Sequence, residues 1–353
     1  MLMDSKKNKY KDRVLDTFNF KRPDAIPIDY EADEKINISL CKYFGAKDLD
    51  NLLERLGIDF RWVELKWLGE KSKNKSGHYI DPFGIPRAGV GTFGHVVENP
   101  FKDVKTIKDI RKYKWPSPDD FDYDALDRDF DKYEEYAVIS GAWGHLLTIA
   151  FDLFGMERFL VMMYEDPDMA HYILDRICEV FEGMAQRMFS KTRKNMDIYF
   201  INDDYGFQHG PMMSLELWRK FVKPRLKRLC SVAKRNNSLV MQHSCGSVKI
   251  FIPDFIEIGV DILNPVQVTA SDMDPEELSK SFKHKIGFHG SIDTQRLLIL
   301  GSIDDVKREV EKMLVIAKKY RGWALAPNQL IMPETPVENV IALYDTLNEY
   351  RWY

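Results

Sequence analysis

The chain has 353 residues, of which 44% are hydrophobic and 30% charged, with a formal net charge of -4 at neutral pH. That composition suits a globular protein with ample core, and the mild negative charge excludes a general attraction to nucleic-acid backbones. The densest basic stretch, Arg219 to Arg235, reads as the solvated face of an amphipathic helix.

The four cysteines, Cys41, Cys178, Cys230 and Cys245, are far apart and form no CxxC pair. This spacing favours a reducing compartment over a disulfide framework. The N-terminal residues are polar with no apolar secretion segment behind them. No stretch approaches the run of about 18 apolar residues that a membrane span needs. A cytoplasmic, membrane-free location is expected, with self-association into a homo-oligomer left open.

Taken in order, Asp12 to Phe18 has the spacing of a short helix, and the Arg22-Pro23-Asp24 turn feeds a first strand over Ala25 to Tyr30. Glu31 to Leu56 is mostly helical, with Gly45 and Gly57 as stops, and Phe60 to Leu65 is a second strand. From Ser76 to Pro100, Gly77, Gly84, Gly89, Gly91 and Gly94 separate short β-prone pieces. This pattern predicts a β-hairpin excursion after the second strand. The acidic segment beyond the Trp115-Pro116 corner reads as solvated surface.

From Tyr136 onward strand and helix alternate. Strands are predicted at Tyr136 to Gly141, Ile198 to Ile201, the run ending in Val240 to Gly246, Asp261 to Val266, Lys285 to Phe288 and Trp323 to Ala326. Helices are predicted over Thr148 to Glu165, Pro167 to Lys191 and Ser214 to Arg235, the last kinked at Pro224. Asp274 and Ser302 read as N-caps, and Thr335 to Glu338 as a capping box for the C-terminal helix. Eight strands, each followed by helix, predict an α/β fold: a single (β/α)8 TIM barrel in one domain over residues 1–353. A doubly wound sheet is the alternative, but it lacks its usual Gly-rich nucleotide turn here.

Barrel enzymes keep their chemistry at the C-terminal ends of the strands. The polar residues Asp203, Asp204, Gln208, His243, Cys245, Gln267, His289, Asn328 and Gln329 all fall there. His243 and Cys245, two apart at a strand end, present an imidazole and a thiol to one face. Two ligands are half a metal site, since zinc centres take at least three protein ligands. The plainer alternatives are a buried cysteine serving as a small hydrophobe and a histidine held by hydrogen bonds. Asp203 and Asp204 suit either substrate protonation and histidine orientation, or solvation and helix capping.

The segments KRPDAIPIDY, DDYGFQHGPMMSLELWRKFVKPRLKR, HSCGSVKIFIPDFIEIGVDILNPVQ, FHGSIDTQRLL and APNQLIMPETPVENVIALYD make the chain resemble the uroporphyrinogen decarboxylase superfamily over nearly its whole length. The resemblance implies a (β/α)8 barrel, in agreement with the strand count. The haem-pathway branch carries an arginine-rich segment near its N-terminus that grips substrate carboxylates. Here the corresponding stretch is Asp29-Tyr30-Glu31-Ala32-Asp33, which would repel a polycarboxylate.

The other branch resembled comprises methyltransferases that use zinc on an HxC pair plus a further ligand, often a cysteine near the eighth strand. His243 and Cys245 match the pair, whereas Ala326-Pro327-Asn328-Gln329 offers no cysteine or histidine. A third ligand would then come from Asp204, His289 or, as a poor neutral oxygen, Gln267; with none of these, Cys245 would act as an unmetallated thiol or the site would only bind substrate. The resemblance thus implies a methyltransferase moving a methyl group between a small molecule and a corrinoid carried by a partner protein. In it, Asp203, Asp204, His243 and Cys245 would be catalytic, His243 and Cys245 would hold zinc, and Tyr205, Gln208, Gln267, His289 and Asn328 would bind substrate. The rivals are a decarboxylase of a small carboxylic acid or porphyrin-like substrate and a non-catalytic small-molecule-binding barrel.

Overall fold

The computed structural model describes residues 9–69, 72–89, 94–194 and 196–353; the N-terminal residues 1–8 and Gly91 lie outside them. Seven of the eight expected strands form one parallel sheet whose spatial order is the chain order. They are β1 (Phe60–Trp62), β2 (Ala137–Trp143), β3 (Ile198–Asn202), β4 (Leu239–His243), β5 (Ile262–Val266), β6 (Gly287–Ile292) and β7 (Trp323–Pro327). Phe60, Ile139, Ile198, Phe200, Met241, Ile262 and Ala324 pack together on the inner face. Alternate residues such as Val138, Tyr199, Ile201, Val240 and Leu263 belong to the larger cluster beneath the helices. Both faces of the sheet are therefore covered, which is why these strands read as unbroken apolar runs.

Ala25 to Tyr30, expected as the first strand, is an extended segment with isolated bridges only. Ile28 pairs in parallel with Leu325 of β7, and Ala25 pairs with Trp352. Asp29 N donates to Leu325 O at 3.0 Å, and on the other side Asp59 N donates to Ile28 O at 3.0 Å. The segment thus links β7 to the residue just before β1, where an eighth strand was expected. Pro23 and Pro27 lack the N–H groups that a regular ladder needs.

Where a two-stranded hairpin was expected, the described residues carry three short antiparallel strands, Tyr79–Ile80, Pro86–Ala88 and His95–Val96. The helix expected over Thr148 to Glu165 is two helices, Leu146–Phe154 and Met156–Glu165, parted at Gly155 with φ +89°. The expected kink at Pro224 is a break at Val222 between Leu215–Phe221 and Lys223–Arg235, with the proline in the second helix's first turn. Asp274 and Ser302 cap their helices as expected. The Thr335 capping box does not form: Pro336 takes the N-cap position of Val337–Tyr350 without a side-chain bond.

The two ends of the chain are clasped by buried charges. Asp59, just before β1, accepts from Arg13 of the first helix and from Arg351 Nη1 at 2.8 Å, while Arg13 Nε also donates to Asp24 at 2.7 Å. Among the described residues no helix is long and apolar enough to cross a membrane.

Candidate functional site

The chemistry-bearing loops meet because two glycines allow it. A Cβ on Gly246 would stand 2.5 Å from the Gly206 backbone, and one on Gly206 would stand 2.7 Å from Cys245 O. The loop after β3 and the loop after β4 therefore cross at a distance only glycine permits, and Gly246 also has φ +82°. Hydrogen bonds lock the crossing. Tyr205 N donates to Ser244 Oγ at 2.9 Å, Ser247 N to Phe207 O at 2.9 Å, and Gly246 N to Gln267 Oε1 at 2.8 Å.

This crossing brings Asp204, His243 and Cys245 together. Cys245 Sγ lies 3.2 Å from His243 Nε2, and Asp204 Oδ1 lies 3.7 Å from the same nitrogen. One ligand atom from each falls within 4.8 Å of the others. Bond lengths of about 2.0–2.3 Å to a tetrahedral zinc imply ligand-to-ligand distances of roughly 3.3–3.8 Å, so nitrogen, sulfur and oxygen donors stand near the spacing a single ion requires. Three protein ligands leave a fourth position for substrate, the arrangement of catalytic zinc sites. His243 closes β4, while Cys245 lies past the strand end on the turn that Gly246 makes possible.

Burial, reinforced by the Asp204 charge, pushes the Cys245 thiol well above its usual range, against the pull of Gln329. Gln329, just after β7, donates from Nε2 to Cys245 Sγ at 2.7 Å. It occupies the neighbourhood in which the resemblance led one to look for a cysteine. Without a cation nearby the thiol stays protonated at neutral pH.

The other sequence-derived residues fall into different places. Asp203 is fully buried and turned away from the cluster. It accepts from Leu147 N at 2.8 Å, Thr148 N at 3.0 Å and Thr148 Oγ1 at 2.8 Å, capping the helix after β2. Burial pushes its carboxyl up to about 7 against those three bonds. Tyr205 is buried against Trp218, Phe251 and Phe255, behind the site. Gln267 holds the Gly246 turn and donates to Gln208 Oε1 at 3.2 Å, so this pair supports the loop crossing. Asn328 Oδ1 accepts from Thr294 N and Oγ1, both at 3.3 Å, joining the ends of β6 and β7. His289 lies inside the barrel, bonded to Asn264 and Asp29, and is not in the Asp204–His243–Cys245 cluster.

Sequence reasoning passed over several neighbours. Trp62, Trp143 and Phe200 form an aromatic wall beside the cluster: Phe200 contacts Trp62, Trp143 and His243 with ring centroids 4.9, 5.9 and 5.9 Å away. His145 follows the end of β2, and burial, then the His243 charge, pushes it down to about 4, so it is neutral at physiological pH. Glu31 keeps contact with solvent, yet surrounding protein and Asp29 hold its carboxyl above the ordinary range. Trp62 and Trp143 could have been found by extending the strand-end rule to every strand, whereas Asn264 lies within β5, opposite His243. Glu31 carried no signal beyond its acidity.

The family model for uroporphyrinogen decarboxylase (URO-D) matches residues 90–350. The chain belongs to the uroporphyrinogen decarboxylase family. Within the family, 27% identity over 213 residues relates it to a methylcobamide:CoM methyltransferase, MtaA, of Methanosarcina barkeri. That match takes in 60% of this chain and 58% of the methyltransferase, so the chain spans little over half the length of that relative. A uroporphyrinogen decarboxylase of Thermus thermophilus is 23% identical over 272 residues, 75% of each chain. Among solved structures, a methyltransferase from Methanosarcina mazei superposes with a TM-score of 0.72 at 20% identity, covering 97% of this chain and 98% of its own. That likeness establishes a shared fold.

Proposed function

We propose that this family member is a zinc-assisted methyltransferase that moves a methyl group between a small molecule and a corrinoid carried by a partner protein. The convergence of Asp204, His243 and Cys245 carries the reading: three donors of the types zinc takes, at the strand ends, the number of protein ligands that catalytic zinc sites use. The relation to a methylcobamide:CoM methyltransferase supports it.

The transfer would take a methyl group from a substrate heteroatom, which keeps the electron pair of the broken bond, to a reduced corrinoid that the partner protein would supply, or the reverse. A zinc ion bound there would supply Lewis acidity for the charge left on the heteroatom. Asp204, His243 and Cys245 would hold the metal, and Gln329 donates a hydrogen bond to the Cys245 sulfur, which would moderate its charge. The aromatic wall of Trp62, Trp143 and Phe200 excludes water and packs the body of the substrate. Neutral His145 offers a proton donor or acceptor beside the ligands.

Decarboxylation of a polycarboxylate fits the site poorly. Asp204 and Glu31 are acidic, and Arg87, whose charge reaches His145, is already held at 2.7 Å by both Asp81 and Asp152. The test is metal analysis of the purified chain together with corrinoid spectroscopy. About one zinc per chain is expected, lost in Cys245→Ala and His243→Ala, with interconversion of reduced and methylated cobalamin in the presence of a methyl donor. Full methyl transfer by metal-free protein would remove zinc from the reading. Release of carbon dioxide without a corrinoid would replace it with decarboxylation, and substrate binding without turnover would favour a binding barrel.

A further inference from the structure

A continuous hydrogen-bonded chain crosses the top of the barrel behind the cluster. His243 Nδ1 meets Asn264 Oδ1 at 2.6 Å, Asn264 Nδ2 meets His289 Nδ1 at 2.7 Å, and His289 Nε2 meets Asp29 Oδ2 at 3.0 Å. Its members come from β4, β5, β6 and the segment that links β7 to β1. Asn264, His289 and Asp29 are 8%, 2% and 2% exposed, so water cannot freely replace any link.

The direction of every bond follows from its far end. Asp29 Oδ2 also accepts from Trp62 Nε1 at 2.9 Å, and Asp29 Oδ1 accepts from Tyr30 N at 2.8 Å. A carboxylate only accepts, so a neutral His289 carries its proton on Nε2 and presents a bare Nδ1. That nitrogen needs a donor, which sets the Asn264 amide with its NH2 toward His289 and its oxygen toward His243. His243 must then carry its proton on Nδ1, leaving the Nε2 lone pair aimed at Cys245 Sγ and Asp204 Oδ1. Free neutral histidine prefers the opposite tautomer, so the network holds His243 in the form that ligates.

We infer that Asn264, His289 and Asp29 are positioning residues that fix the His243 tautomer, so that Nε2 is ready to receive a metal before any metal arrives. The inference rests on the proposed metal-binding role of His243 for its purpose, although the tautomer itself is a property of the metal-free chain. A histidine that binds metal through one nitrogen is commonly oriented by a partner on the other, and losing that partner typically costs 10–100-fold in affinity. Here the orienting partner is a neutral amide, itself oriented from two residues further away.

The first test needs no variant. Nitrogen-15 NMR of the metal-free chain labelled at histidine, with His243 assigned by its loss in His243→Gln, should show Nδ1 protonated and Nε2 bare. Protonation at Nε2 would overturn the inference. The second test is zinc affinity by competition with a chromophoric chelator. Asn264→Asp still accepts from His243, with His289 taking a second proton on Nδ1 to face the new carboxylate, and should keep the wild-type affinity or tighten it, whereas Asn264→Leu should weaken it about 10–100-fold. Equal affinities in these two variants, with both folded by circular dichroism, would overturn the relay. A wild-type chain that shows the expected tautomer but binds no zinc would support the relay and remove the metal reading, so the two claims fail separately.

Discussion

Gly206 and Gly246 meet backbone to backbone, and that contact alone permits the Asp204 and Cys245 loops to share a site. Replacing Gly246 with alanine adds a Cβ 2.5 Å from Gly206 at a φ of +82°. The expected cost is on the order of 2–4 kcal/mol in urea denaturation, from left-handed strain plus the clash. Zinc content should fall with it. Gly210→Ala is the control, because a Cβ there meets nothing within 4 Å, and it should leave both measurements unchanged.

The charge clasp that joins the chain ends depends on Asp59. Its removal in Asp59→Ala would leave Arg351 without this carboxylate and Arg13 with Asp24 alone, both arginines being under 4% exposed. Loss of about 3–5 kcal/mol of stability is expected, the usual cost of breaking a buried ion pair from one side. A stability change under 1 kcal/mol would show that the arginines find other partners.

His145 sets an acid limit on the metal-free protein. Its folded-state value is pushed down to about 4, below the 6.5 of an unfolded histidine. The folded state therefore binds fewer protons, so the contribution to stability is present above about pH 6.5 and is lost as pH falls toward 4. Denaturation midpoints should decline across that window by an amount of order 2 kcal/mol, and His145→Gln should flatten the decline. An unchanged slope in the variant would count against this assignment.

Gln329 should control the reactivity of Cys245. Gln329→Leu removes the 2.7 Å hydrogen bond to Sγ, which helps the thiolate, so the thiol should rise further above its ordinary range. Alkylation of Cys245 by iodoacetamide in metal-free protein, followed by mass spectrometry, should slow about two- to tenfold, the worth of one hydrogen bond. Faster alkylation would mean that Gln329 acts chiefly by shielding the sulfur.

The strand order, the covered parallel sheet and the pairing of His243 with Cys245 were all legible in local pattern, because apolar runs, glycine stops and caps act over a few residues. The misread elements have equally local causes. Proline interrupted the first strand, Gly155 divided a helix, and Pro336 displaced Thr335 from its cap. Asp203 and Asp204 illustrate where local reading stops. They are adjacent in sequence, yet one points down to cap the helix after β2 and the other up to the cluster.

By itself the sequence determined the barrel-like sheet and the face on which chemistry would gather, since strand periodicity and the strand-end rule need no long-range information. It also supplied the His243–Cys245 half of the site. Only the tertiary structure decided what completes that half: Asp204 enters because Gly206 and Gly246 let two loops cross, and Gln329 replaces an expected sulfur ligand with a hydrogen bond. The hydrogen-bonded chain from Asp29 to His243 joins residues as far apart in sequence as Asp29 and His289, 260 positions, which only the curl of the sheet brings together.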